Sequence, residues 1–269
     1  MNKKLIYFIV LTFLISWSLW LPFYFNQEIN EFFVLFGGWG PTISALILTY
    51  VYGNKNDVIN LLKKALIWRV KIKYYLFSVF GIMLLFFLNL FFNDYILKIR
   101  IDYYLITESI GLENLSFISI ILLSPILFLI NTFVGGPIAE ELGWRGYAQS
   151  LLQEKISYNL SGLIIGFIWA IWHLPLFIFL PKATANIPLF YYIILFSCFG
   201  VLFSWLFNKT SRSILISILF HGGINFTIGL IGSEILSDEN ILISFLAFVL
   251  ILTILVSIKN KKNLIEPLI

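Results

Sequence analysis

The chain has 269 residues, of which 60% are hydrophobic, 18% aromatic and only 12% charged; its mean hydropathy is +0.94 and its formal net charge +4. Soluble domains carry about 25% charged residues, so this composition excludes an ordinary soluble domain and predicts an all-α, polytopic membrane protein. The positive charge is no nucleic-acid signature, because the basic residues are set between apolar runs rather than gathered on one stretch. The single cysteine, Cys198, lies inside an apolar run and excludes a disulfide framework. Frequent Phe, Ile, Asn and Lys read as AT-rich codon usage, and so as a multi-pass protein of a bacterial plasma membrane.

A spanning helix takes roughly 20 apolar residues. Eight segments qualify: 5–25, 32–52, 74–93, 116–139, 159–180, 189–207, 213–232 and 240–258. The first starts at Lys3 and Lys4, as a signal peptide would. It outruns a signal h-region of about 7–15 residues and no A-x-A-like site follows, so it reads as a helix. Between the second and third spans, residues 53–73 mix basic and apolar side chains and read as a stretch lying on the inner leaflet. Residues 94–115 form the longest outer loop. With the N-terminus inside, 15 of the 18 basic residues fall on the cytoplasmic side, the bias that orients membrane proteins. Both termini are therefore expected in the cytoplasm. No repeat is apparent, and residues 1–269 read as one membrane domain in contact with the lipid bilayer.

Ionisable side chains cost roughly 2.5–3.5 kcal/mol each at the centre of a spanning helix. Three spans nevertheless carry polar clusters. The fourth ends in Glu140, Glu141 and Arg145, the fifth holds His173, and the seventh holds His221 and Asn225. These are the only two histidines of the chain. Buried polar groups find partners, and in lipid the nearest partners are one another. Asn225 follows His221 by one helical turn, so the two share a face. Gly222 and Gly223 beside them leave room for another helix or a substrate backbone. Glu141 and Arg145 share a face as well, while Glu140 is rotated by about 100° from Glu141. One acid is thus able to pair with Arg145 and the other is left for chemistry. Pro175 deprives the Ile171 carbonyl of its helical partner and is expected to distort the fifth span beside His173. Hydropathy sets Glu140 near the inner edge of the fourth span, with His173 and Asn225 closer to mid-membrane; either the fourth helix continues beyond Arg145 toward Glu154 or it ends there, and a cavity open to the cytoplasm would accommodate them all.

At these residues the chain resembles the CPBP family of intramembrane proteases, which includes CAAX prenyl endopeptidases of the Rce1 type, the ABI family and bacteriocin self-immunity proteins. The matching motifs are Glu140-Glu141-x-x-x-Arg145, Trp169-x-x-x-His173 and His221-x-x-x-Asn225. The likeness covers roughly residues 115–232, and Gly40–Leu48 in the second span also looks similar. The family usually has Phe at the position of Trp169. The resemblance implies an eight-helix membrane fold, a cavity reached from the cytoplasmic side, and hydrolysis of a peptide bond in a peptide or membrane-protein substrate. Carried over by motif, Glu140 would activate the water, His173 would orient it, and His221 and Asn225 would stabilise the oxyanion. Glu141, Arg145 and Trp169 would support them.

The residues agree with that chemistry on their own terms. Amide hydrolysis needs a general base, a held water and oxyanion donors; one such donor is worth about 10²–10³ in rate. Two readings of the cofactor stay open. Glu140, His173 and His221 are a possible His₂Glu zinc set with an open fourth position, yet the H-E-x-x-H helix of zinc peptidases is absent. The other reading is a glutamate-activated water with no cofactor. Two other function classes compete. A proton-coupled transporter also buries Glu and His but tends to show internal repeats. A self-immunity protein or non-catalytic membrane scaffold would keep the fold.

Overall fold

A computed structural model describes residues 3–22, 32–103, 105–106, 117–180 and 184–259. The tail of the first expected span (23–25), residues 104 and 107–115 of the expected outer loop, Lys182, Lys261 and Lys262 lie outside the described residues. The described residues form helices and no strand. Seven helices are long and apolar enough to cross a membrane: α1 (Lys3–Trp20), α2 (Phe32–Tyr52), α4 (Ile72–Ile96), α5 (Ile118–Leu152), α6 (Tyr158–Phe179), α7 (Leu189–Lys209) and α9 (Glu239–Ile258). The seventh expected span is α8 (Ile214–Gly229), an apolar helix of shorter length. The protein is a multi-pass membrane protein, and its outer surface fits one. Ile118, Leu122, Leu84 and Ile126 are all more than half exposed, as residues facing acyl chains are.

Between α2 and α4 lies α3 (Lys55–Lys63). Its first turn is capped by Asn54, whose side chain accepts from the N–H of Asn56 and Asp57, while Asp57 answers by accepting from the Asn54 N–H. Exposed Leu66 and Trp68 follow among Lys63, Lys64 and Arg69, the mixture an interfacial segment needs.

The tightest helix pair is α6 on α7. A Cβ placed on Gly166 would sit 3.1 Å from the Cα of Gly200, and one on Gly162 would meet the Gly200 carbonyl. Small residues four apart let the two backbones touch, which is how spanning helices associate when burial in lipid gives no hydrophobic gain. Residue Trp17 ties α1 to α6 by donating from Nε1 to the Trp172 carbonyl at 2.9 Å.

Helices α5, α6 and α8 depart from α geometry beside residues singled out from the sequence. Helix α5 breaks at Val134–Gly135, restarts at Gly136–Glu141 with Pro137 in its first turn, and widens into a π-helical stretch over Leu142–Gln149. Helix α6 is interrupted at His173, with Pro175 opening the short run Leu174–Phe179, as the proline predicts. In α8 the π-helical turns Phe226–Ile231 begin directly after Asn225. Such widenings recur at functional sites.

Two expectations need correction. The fourth span does not end at 139: its helix runs on to Leu152, so Glu140 and Glu141 are interior rather than at its edge. The polar groups are also not confined to three spans. Asn93 donates to Asn89 Oδ1 and to Ser244 between α4 and α9, and Gln153 donates to Ser161 and Ser204 among α5, α6 and α7. Short neutral side chains satisfy one another at helix contacts, so polarity alone does not mark a site.

Candidate active site

The restart of α5 sets two adjacent carboxylates on different faces. Glu141 is fully buried and accepts from Arg145 Nη1 at 3.0 Å, one turn further along the same helix. The Arg145 guanidinium lies 3.5 Å from the centroid of the Phe203 ring and 4.9 Å from that of Trp169, so aromatic faces replace the water it has lost. The same Glu141 oxygen also meets His221 Nδ1 at 2.8 Å. An ionised carboxylate is acceptor-only, so His221 donates from Nδ1 and presents Nε2 elsewhere.

Glu140 faces the other way. Its Oε2 accepts from Trp169 Nε1 at 2.7 Å and from Trp144 Nε1 at 3.3 Å. Oε1 points toward Gly136, where an added Cβ would stand 2.7 Å from it. Glycine at 136 therefore leaves room for the carboxylate itself. His173 meets the Trp169 carbonyl through Nδ1 at 2.9 Å. A carbonyl only accepts, so Nδ1 carries the proton and Nε2 is the nitrogen left for a ligand.

Glu140, Trp169, His173, His221 and Asn225 line one cavity of about 320 Å³. Val34, Glu140, His173 and Leu176 also line an adjoining cavity of about 570 Å³, walled by Trp20 and Trp172. The structure thus brings four of the expected groups, and Trp169, to one space. It leaves Glu141 and Arg145 behind that wall: neither lines either cavity. Of the two acids, Glu141 pairs with Arg145 and Glu140 lines the cavity. Gly222 and Gly223 admit other helices, since Thr132 packs on the first and the Ser78 carbonyl approaches the second.

Some participants escaped the sequence reading. Trp144 was legible in principle, because it follows Glu140 by one turn. Asn131 lines the cavity and donates to the Gly222 carbonyl at 3.3 Å; a lone carboxamide in an apolar run was its only signal. Tyr192 and Phe196 stack with centroids 3.8 Å apart on the cavity wall beside His173, and nothing distinguishes them from lipid-facing aromatics in the sequence.

No group of three or more His, Cys, Asp or Glu side chains is placed to hold a metal ion among the described residues. One oxygen of Glu140 is also already held by two indole donors.

Residues 122–227 match the family described as Type II CAAX prenyl endopeptidase Rce1-like. This segment is similar to the Rce1-like family. All seven motif residues, from Glu140 to Asn225, fall inside the Rce1-like segment. A similar protein is CAAX prenyl protease 2 of Methanococcus maripaludis, 35% identical over 111 residues. That stretch is 38% of this chain and 38% of the relative, so the Rce1-like likeness spans well under half of either protein.

Proposed function

We propose that the protein is an intramembrane endopeptidase, with Glu140 as the base that activates a water against the peptide carbonyl of a membrane-embedded substrate. The observation that carries this reading is the unequal fate of the two acids. Glu141 is committed to Arg145 and His221, whereas Glu140 is the only carboxylate on the cavity wall among the described residues. Glu140 takes the proton as the water oxygen bonds to the carbonyl carbon, and returns it to the amine nitrogen as the C–N bond breaks. His173, with Nδ1–H given to a carbonyl, offers the Nε2 lone pair to hold that water. Asn225 and His221 donate to the oxyanion. For His221 this requires Nε2–H in addition to the Nδ1–H given to Glu141, hence an imidazolium. With both acids ionised and Arg145 charged, that state brings the four groups to net zero, which buried charges require. The two indole donors hold Glu140 in one orientation.

We assign the water to Glu140 without a metal, because no three His, Cys, Asp or Glu side chains are placed to hold an ion among the described residues and two indoles already hold one oxygen of Glu140. Metal analysis of purified protein with chelator treatment tests this part; stoichiometric zinc and loss of turnover on chelation would overturn it. The substrate is a peptide or membrane-protein segment. Comparing membrane peptides from cells carrying wild type or Glu140→Gln identifies it: fragments present only with wild type support the reading, and identical peptide sets refute it.

A further inference from the structure

The cavity has a direction. Its outer walls are Val34 at the start of α2, Leu180 at the end of α6, Thr184 and Ala185 before α7, and Gly229 at the end of α8. Trp20, the last residue of α1, stands over the same opening and donates to the Val34 carbonyl at 3.1 Å. His173 lies six residues from the Phe179 end of α6, about 9 Å, but fifteen from its Tyr158 end, about 22 Å, at 1.5 Å per residue. The mouth thus lies at the end of the bundle where α1 ends and α2 begins.

The opposite end is where the basic residues are. Lys4 sits over the Tyr52 ring, Ser213 donates to the Ile67 carbonyl, and burial followed by the neighbouring Arg212 holds Lys64 below the usual lysine range. These contacts and the helix directions gather Lys3 and Lys4, the 55–73 segment, Lys155, Lys209 and Arg212 at one end, eleven basic side chains against the two acids Asp57 and Glu154 among the described residues. At the mouth end, among the described residues, the basic side chains are Lys98 and Arg100, against Asp94, Asp102, Glu234, Asp238 and Glu239. Lys and Arg near span ends are retained in the cytoplasm. Cytoplasmic basic loops and cytoplasmic access to the cavity are therefore incompatible in this fold, and the charge asymmetry decides between them.

We infer that the cavity is entered from the non-cytoplasmic side of the membrane, and that its substrate is a polypeptide segment presented in that leaflet. The substrate half rests on the peptidase reading; the direction rests on charge and geometry alone. A protein so oriented acts on segments arriving from outside or exposed after translocation, not on C-termini presented in the cytoplasm.

Single cysteines test the direction in the full chain within its own membrane. Buried Cys198 leaves wild type as the unlabelled control. Gly229→Cys lines the cavity, with nothing within 4 Å of the new Cβ among the described residues. Ser237→Cys is exposed at the same end, and Asn56→Cys is exposed at the basic end. A membrane-impermeant maleimide is expected to label residues 229 and 237 in intact cells as fully as in permeabilised cells, and residue 56 only after permeabilisation. Labelling of residue 56 in intact cells with 237 protected overturns the inference, and so does protection of 229 while 237 reacts. Failure of the peptidase reading shows instead as correct labelling with no Glu140-dependent cleavage.

Discussion

Removal of the Arg145 charge probes the buried cluster most sharply. Arg145 and Glu141 are both fully buried, and one 3.0 Å bond joins them. Breaking such a pair from one side leaves an uncompensated charge and costs about 3–5 kcal/mol. In Arg145→Met the carboxylate keeps His221 at 2.8 Å, so the loss should fall near the low end, about 3 kcal/mol. Glu141→Gln strands the guanidinium, whose Nε and Nη2 have no hydrogen-bond partner, and should cost at least as much. Independent losses would sum to about 6 kcal/mol, but residues in one ion pair do not add. Replacing both partners removes the stranded charge, so Glu141→Gln/Arg145→Met should lie within about 1 kcal/mol of wild type. SDS titration from mild-detergent micelles, followed by tryptophan fluorescence, gives the four stabilities of the cycle. The double variant should recover its fold and still lack turnover, because His221 has lost its charged acceptor. Additive losses, or an Arg145→Met protein as stable as wild type, would refute the reasoning.

Three further outcomes follow from distances in the site. Trp169→Phe removes the 2.7 Å donor to Glu140; hydrogen bonds to charged groups are worth about 1.5–3 kcal/mol, so turnover should fall roughly 10-fold or more with the fold retained, as steady-state cleavage rates would show. Gly136→Ala places a methyl 2.7 Å from Glu140 Oε1; cleavage should drop while the unfolding midpoint moves little, and unchanged cleavage would mean the carboxylate does not act from this position. Gly200→Val drives a side chain into the α6 backbone at Gly162 and Gly166 and should lose folded yield, whereas Gly229→Ala, which meets open space, should leave size-exclusion profiles unaltered.

Much of this was readable from the chain, and the readable parts share a cause. Lipid demands about 20 apolar residues per crossing, so spans announce themselves. The separation of Glu140 from Glu141 follows from helical rotation alone, and Pro175 foretold the break at His173. What escaped depends on contacts between helices far apart in sequence. The Glu141–His221 bond joins residues 80 apart, and the Trp169–Glu140 bond joins residues 29 apart. The run-on of α5 past Glu140 was one of two readings the chain left open, because hydropathy penalises the charges that neutralise one another there. The direction of the cavity needed the helix ends in space, since a list of spans says nothing about which loops surround an opening.

The central claim is that Glu140 performs the chemistry while Glu141 holds the scaffold. Wild type, Glu140→Gln and Glu141→Gln, reconstituted in lipid nanodiscs at equal folded fraction, can be compared in single-turnover cleavage of the peptide identified in cells. The account predicts no detectable cleavage by Glu140→Gln with wild-type stability, and a destabilised Glu141→Gln protein. Cleavage by Glu140→Gln at the wild-type rate would contradict it.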